Sequence, residues 1–326
     1  MIECHHVFGR KGALANETPS HREYLIEIQR FLHPFQAQNP QMNLVLLLLL
    51  GMLWGSSYLF IKVIVAEVPV ATLVTGRLAL SAIILWILLL STRRRVPQGW
   101  SLWRNYAVMG LLNGTVPYVL ISWGEQYIPS SLAALLQATM PLFTVLLAAL
   151  TASDEGLKVS KVAGVVVGFV GVGILMLPDL RQGFQVSIFG QLAIVASSLS
   201  YAGAGIFARR YLRSQSPLAS TAGQLTMGAL FTLPLSLVLD WPLSLSPSLP
   251  AIASWLALSI LGTVVAYVIY YTLIERTSAT FVSTVTYIIP INGLILGALV
   301  LGEAITLGVL ASSALILLGV LLVRAQ

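Results

Sequence analysis

Charge is what this sequence has least of. Asp, Glu, Lys and Arg make up 9% of its 326 residues, where a soluble domain carries about 25%. That is too little to cover a water-facing surface, which excludes an ordinary soluble fold. Cysteine is reduced to Cys4, and one thiol makes no internal disulfide. Of the four histidines, His5 and His6 are adjacent while His21 and His33 stand apart, so no zinc-type spacing exists. Neither His-Glu-x-x-His nor Gly-x-Ser-x-Gly occurs. No cofactor is expected, and the chain does not read as an enzyme. Acids are also missing from the middle of every long apolar run. A carrier coupled to protons would therefore need a relay other than a mid-membrane carboxylate, or one near a mouth.

What remains is apolar. Hydrophobic residues make up 57% of the chain, and mean hydropathy is +0.88. They come in uninterrupted runs such as "LVLLLLLGMLWGSSYLFI" (44–61) and "LALSAIILWILLLST" (78–92). A bilayer-spanning helix needs roughly 20 such residues. Ten segments qualify: 44–65, 70–91, 105–123, 130–150, 159–177, 188–208, 218–239, 252–273, 279–300 and 305–323. The runs are continuous rather than alternating, which favours helices over a membrane β-barrel. The expected fold is an all-α integral membrane protein with the lipid bilayer as solvent.

Residues 1–43 are a polar tail with mixed charge. It reads as poorly ordered, or as one short amphipathic helix over "REYLIEIQRFL" (22–32) lying on the membrane. Met42 directly precedes the first run and is a second candidate start.

The spans repeat. "YIPSSLAALLQATMPLFTVLLAALTASDE" (127–155) lies over "RTSATFVSTVTYIIPINGLILGALVLGEA" (276–304), pairing Pro141 with Pro290 at an offset of 149. Tyr118 then meets Tyr267, and near an offset of 147 Trp54 meets Tyr201 and Gly76 meets Gly223. Two copies of five spans result, residues 44–177 and 188–323. Five is odd, so the second copy enters the membrane from the opposite side. Inverted repeats of this kind place a substrate site between the halves. Charge agrees: with the N-terminus inside, 15 of the 18 Lys and Arg fall in inside segments, as cytoplasmic loops require. Glu67, Glu125, Asp179, Asp240 and Glu303 fall outside. The basic balance is thus a topology signal for a plasma-membrane protein with both termini cytoplasmic, and nucleic acid is not an expected partner.

The repeat carries recognisable motifs. "WGSSYLFIK" (54–62) opens the first copy, "SSLAALLQATMPLFTVLLAAL" (130–150) closes on "SDE", and "STVTYIIPINGLILGALVLGEAIT" (283–306) is its counterpart. This resembles the drug/metabolite transporter superfamily, specifically the EamA-type transporters, over residues 43–324. The resemblance implies two five-span repeats, each with a Pro in its fourth span and a Gly-Glu turn before its fifth. "SDEG" (153–156) departs from that turn.

Each proline frees a carbonyl one turn earlier and lets its helix bend. In lipid that carbonyl must meet protein or cavity water, so Pro141 and Pro290 should face the interior. They read either as gates or as static kinks. Arg77 lies about two turns into the second span within "VTGRLALSA" (74–82), the deepest full charge. Its fork suits a carboxylate or phosphate. The alternatives are snorkelling to the interface or pairing with Glu67 or Glu125. Its repeat partner is the neutral Gln224. Lys62 reads as an interface anchor. Thr263, Tyr267, Tyr270, Tyr271 and Ile274 share one helical face. With Tyr58, Asn113, Tyr118, Gln137, Tyr201 and Tyr287, the residues Tyr267 and Tyr271 form the candidate substrate wall, each alternatively ordinary packing or interfacial belt. Gln191 and Asn292 are further amides, as path or as interhelical glue. Gly164 and Gly168 make a small-xxx-small pair for close packing within the chain or in a homodimer.

The leading functional expectation is a secondary transporter, an exporter by alternating access, for a small amphiphilic metabolite such as an amino acid. An integral-membrane enzyme and a non-transporting membrane subunit are the alternatives.

Overall fold

The computed structural model describes residues 39–92, 96–151, 159–181, 185–241 and 245–324. Met1–Asn43 and Leu44–Gln326 are separate units. Of the first, only the beginning of a helix at Pro40 is described. The expectations for residues 1–38 and for "SDEG" lie outside the described residues.

Among the described residues, ten helices are long and apolar enough to cross a membrane. They are α1 (Pro40–Val65), α2 (Val70–Ser91), α3 (Trp100–Gly124), α4 (Ser130–Leu150), α5 (Val159–Arg181), α6 (Val186–Tyr211), α7 (Pro217–Leu239), α8 (Leu249–Arg276), α9 (Thr280–Leu301) and α10 (Leu307–Arg324). At about 1.5 Å per residue, 20 or more residues cover the hydrocarbon thickness. Apolar runs in lipid must satisfy their own backbone, and a helix does so locally. Proline marks the starts: Pro69 and Pro129 precede α2 and α4, and Pro217 opens α7. There its missing donor costs nothing.

The polarity is inverted relative to a soluble protein. Ile83, Ile87 and Leu90 stand on one outer face of α2, each more than half exposed, while Ser81 on the same helix is fully buried. Ser197, Ser198, Thr232 and Thr263 are likewise fully buried. Hydroxyls facing inward bond to helix carbonyls or to each other, and the apolar rim is left to lipid.

The two copies meet through reciprocal contacts. Tyr106 of α3 fills the space over Gly223 of α7, and Trp255 of α8 fills the space over Gly76 of α2. These four residues are repeat equivalents exchanged between copies. Ser81 of α2 donates to the Ser259 carbonyl of α8 at 2.9 Å, while the equivalent Gly228 of α7 backs onto Gly110 of α3. A residue i touching j while j′ touches i′ is what a two-fold relation produces. Helices α4 and α9 pack together, as do α5 and α10.

Two irregularities were not legible in the sequence. Both third helices of the copies contain a π-helical turn, at Gly110–Thr115 in α3 and Ile260–Val265 in α8. Such turns are rare and often sit at functional sites. The proline-bearing helices also differ from each other. In α4 the helix stops at Gln137 and resumes at Met140, so Pro141 lies in the first turn of the second piece. The carbonyl it frees, that of Gln137, accepts a long bond from Ser198 Oγ at 3.4 Å. In α9 the break falls at Thr284, and Pro290 sits buried inside the continuous piece Val285–Leu301.

Gly164 settles one expectation. A side chain there would come within 2.6 Å of the Gly319 carbonyl on α10, and Gly319 lies equally close to Gly168. The small-residue pair is used inside the chain. Gly164→Val is expected to force α5 and α10 apart, destabilising by at least the ~1–3 kcal/mol of ordinary overpacking. Gly173→Val on the same helix, where a Cβ meets nothing within 4 Å, should change little. Thermal unfolding in detergent compares the two, and equal losses would contradict the assignment.

Candidate functional site

A cavity of about 790 Å³ runs through the helix bundle. Arg77, Tyr58 and Ile61 lie toward one end of it, and Lys161, Arg213 and Arg324 toward the other. The second group belongs to the basic helix ends, so the cavity reaches that surface. Among the described residues no Asp or Glu lines it. A larger basin of about 1060 Å³ lies along residues 96–105 and 211–219, and among the described residues no charged side chain lines it.

Arg77 stands at the deep end and is 6% exposed. Its guanidinium lies 3.9 Å from the centre of the Tyr118 ring. Its Nε donates to Thr263 Oγ1 at 3.1 Å. Thr263 is placed there by the π turn of α8, where its own hydroxyl reaches back five residues to the Leu258 carbonyl. Neither alternative for Arg77 is realised. It does not reach the interface, and Glu67 bonds to Ser248 instead. No ion pair or hydrogen bond to its two terminal nitrogens occurs among the described residues. A buried guanidinium without a counter-charge keeps part of its desolvation cost uncompensated; the ring beneath it contributes about 0.5–2 kcal/mol.

The reciprocal contact is neutral. Gln224, at the repeat position of Arg77, accepts from Asn113 Nδ2 at 3.3 Å. Asn113 lies in the π turn of α3 and also donates to Tyr267 Oη at 3.1 Å. Aromatic rings continue the wall. Tyr267 stacks on Tyr271 at 5.9 Å, Trp54 meets Tyr267 edge-on at 6.2 Å and Tyr270 at 5.5 Å. Tyr271 Oη and Thr221 Oγ1 lie 2.8 Å apart in a hydrogen bond.

The structure therefore brings Tyr58, Arg77, Asn113, Tyr118, Gln137, Tyr201, Tyr267 and Tyr271 to one cavity, with Pro141 in its wall. Tyr287, a candidate wall residue, is not among the residues lining it, and Pro290, a candidate gate, is buried in α9 outside its wall. On α9 the wall is made by Val282 and Ser283 before the break at Thr284, and by Val285, Thr286 and Ile289 after it. The next residue after 286 is turned away by about 100°. Tyr287 packs with Leu142, Val320 and Val323 and supports Arg324, whose guanidinium lies 5.1 Å from its ring. Asn292 donates to the Met52 carbonyl at 2.9 Å and Gln191 bonds to Asp179, so both amides are interhelical ties. Lys62 anchors protein rather than interface, donating to the carbonyls of Glu125 and Ile128 at 2.5 and 2.9 Å.

At the end opposite the cavity mouth, three carboxylates bind helix beginnings across the copies. Glu67 accepts from the backbone N–H and hydroxyl of Ser248, which opens α8. Asp240 accepts from the Thr72 N–H and hydroxyl in the first turn of α2, both at 2.7 Å. Glu303 accepts from the N–H groups of Ser130 and Ser131 at 2.7 and 2.9 Å, and from the Ser130 hydroxyl at 3.0 Å. An anion at a helix N-terminus is favoured by the unpaired N–H groups and the dipole. Glu303 is aimed there by Gly302, whose φ of 67° ends α9 in the left-handed conformation. The absence of a side chain on Gly297 leaves room for the carboxylate.

The EamA-like transporter family matches residues 41–177 and 188–325, one match per copy. The chain belongs to this family. It is 24% identical over 269 residues to the uncharacterized transporter YoaV of Bacillus subtilis (strain 168), covering 82% of this chain and 92% of that one. It is 27% identical to the uncharacterized inner membrane transporter YedA of Escherichia coli (strain K12), over 79% and 82% of the two chains. Protein PecM of Dickeya dadantii (strain 3937) is 29% identical over 68% and 72%. A solved crystal structure shares the fold at a TM-score of 0.61 and 18% identity, covering 86% of this chain and 96% of that one. The protein is thus a multi-pass membrane protein of a transporter family.

Within that frame, sequence reading overlooked several cavity residues. Gln224 entered only as the neutral partner of Arg77, yet it lines the same wall. Trp54 and Tyr270 were legible from their spacing beside Tyr58 and Tyr267. Lys161, Arg213 and Arg324 at the mouth had served only to orient the chain.

Glu125, just beyond α3, has no exposed surface. Both its carboxylate oxygens are sealed from water with no hydrogen-bond partner among the described residues. An ionised carboxylate so placed costs several kcal/mol, and a group in that position neutralises instead. Burial accordingly pushes the Glu125 carboxyl well above the ordinary carboxylate range, with Lys62 opposing and Glu303 adding to the shift.

Proposed function

We propose that the protein is a secondary transporter that exports a small amphiphilic solute bearing a carboxylate, such as an amino acid or a related acid, by alternating access. The observation that carries this reading is Arg77: a buried cation with no acidic partner among the described residues, at the deep end of an aromatic cavity that no described acid lines. The apolar rings suit the body of the solute and the fork of Arg77 suits its anionic end. The basic mouth attracts the same charge.

The reciprocal contacts support a half-turn in the membrane plane between residues 44–177 and 188–323. The positive residues support cytoplasmic termini. On that reading the cavity opens to the cytoplasm, and the three carboxylate bonds close the outer face. Alternating access then consists of releasing those bonds while the mouth closes.

Reconstituted vesicles test the reading. Efflux of radiolabelled amino acids and aromatic or aliphatic carboxylic acids should exceed that of empty vesicles, and the matching amines should not move. Absence of flux across such a panel, with folded protein present, would remove the transport reading. Pro141→Ala should slow flux several-fold at equal membrane abundance, because it restores a donor beside the break in α4. Pro290→Ala, inside a continuous helix, should have the smaller effect. Wild-type flux in Pro141→Ala would leave only a static kink.

A further inference from the structure

The turn after α3 is held from two sides. Lys62 of α1 takes the carbonyls of Glu125 and Ile128. Glu303 binds the first N–H groups of α4 two residues further on. Gly124, at the end of α3, abuts the Gly190 carbonyl of α6, beside which Gln191 is tied to Asp179. Between these elements the Glu125 carboxyl has no hydrogen-bond partner among the described residues. The nearby ammonium of Lys62 is committed to carbonyls. Tyr58 of α1 and Arg77 of α2 complete the titratable and charged surroundings, both from the cavity wall. Ile121, one turn before Glu125, lines the deep end of the cavity. Glu125 therefore lies between the deep end and the outer closure, and the cavity does not reach it.

We infer that Glu125 is a proton-binding site linked to the outer gate: its carboxylate takes a proton from outside water as that face closes, and returns it to outside or cavity water when the site is next hydrated. The balance is one carboxylate plus one hydronium giving one carboxylic acid plus water, with no other reactant. The inference rests on the transport reading only for its consequence, proton-linked flux; the protonation itself does not depend on any solute. The carboxyl is neutral in the closed form because nothing inside replaces its lost water. Opening the outer face restores water and the charge. Proton uptake from the outer side thus favours closure. This supplies the relay near a mouth that a proton-coupled carrier without mid-span acids needs.

Two measurements test it without a known solute. The difference infrared spectrum of wild type minus Glu125→Gln, in membranes near neutral pH, should contain the carbonyl stretch of a protonated carboxylic acid. In a Cys4→Ser background, Ile61→Cys at the cavity end should be labelled by an impermeant maleimide from the outer side only when that face opens. Lowering outside pH from about 8 to about 6, a window above ordinary carboxylate titration, should reduce labelling by up to about tenfold per pH unit, the limit for one linked proton. Glu125→Gln should make the labelling independent of pH. Glu125→Asp keeps an acid and should restore the response with a moved midpoint, which also serves if the Gln variant inserts poorly. Absence of the carbonyl band, or pH-independent labelling in wild type, overturns the inference. Band and pH response present, but no flux across the solute panel, would overturn the transport reading and leave the proton site standing.

Discussion

Arg77→Gln is expected to weaken solute binding by about 1.5–3 kcal/mol, the range for a lost charged hydrogen bond, or roughly 10- to 150-fold in the half-saturation constant. The side chain is buried, its Nε is held by Thr263, and its face rests on Tyr118. Those two contacts fix the plane of the fork, which leaves the terminal nitrogens to meet an anion. Arg77→Lys keeps the charge but loses the planar fork and its stacking on the ring. It should therefore also bind weakly, where a charge needed only for topology would tolerate the change. Both variants should still insert, since Gln occupies the equivalent place in the second copy. Thr263→Val should show a smaller loss, about 1 kcal/mol, because it frees the fork without removing it. Concentration-dependent transport in vesicles, normalised to protein level, separates the outcomes. An unchanged half-saturation constant in Arg77→Lys and Arg77→Gln would take Arg77 out of the site.

The sequence exposed the ten helices because lipid leaves little freedom: an apolar run of about 20 residues has only one way to satisfy its backbone. The predicted span 70–91 coincides with α2, and others end within a few residues. The helical face of Tyr267 and Tyr271 was equally legible, since spacing alone sets it. Hidden features depend on partners distant in the chain. No local signal announces a π turn, so the placement of Thr263 beside Arg77 could not be read. Nor could the fate of Tyr287: its face is fixed by the break at Thr284, which lies six residues before the proline that seemed to announce it. Gly302 was legible only as half of the Gly-Glu turn that the resemblance implies; its task, and that of Gly297, follows from the placement of the Glu303 carboxylate between α9 and α4. Glu125 was legible as an outside acid, but not as an acid without water.

Glu303→Gln should shift the protein toward the outward-open form by about 1–3 kcal/mol, a factor of roughly 5 to 150 in population. The carboxylate accepts three hydrogen bonds at the start of α4. A neutral amide of the same shape keeps one acceptor and points a donor at groups that are themselves donors. It also loses the attraction of the helix N-terminus for negative charge. The pH dependence has a definite sign. Partial burial pushes the Glu303 carboxyl up, but hydrogen bonds from Ser131 and Ser130 more than reverse this and hold it below the ordinary range. Hydrogen bonds from Ser248 hold Glu67 down likewise. A group depressed in the closed form stabilises that form above its free value, about 4.3 for Glu. That stabilisation disappears only as pH falls through the depressed value. The hydrogen bonds of both carboxylates are thus fully made at neutral pH, and acid strong enough to break them lies well below the window in which Glu125 responds. Labelling of Ile61→Cys from the outer side reads both effects. Glu303→Gln should raise labelling at neutral pH and leave its slope between about pH 6 and 8 unchanged, because Glu125 is still present. Glu125→Gln should flatten the slope. Wild-type labelling in Glu303→Gln at neutral pH would mean that this carboxylate braces a helix and does not hold the gate.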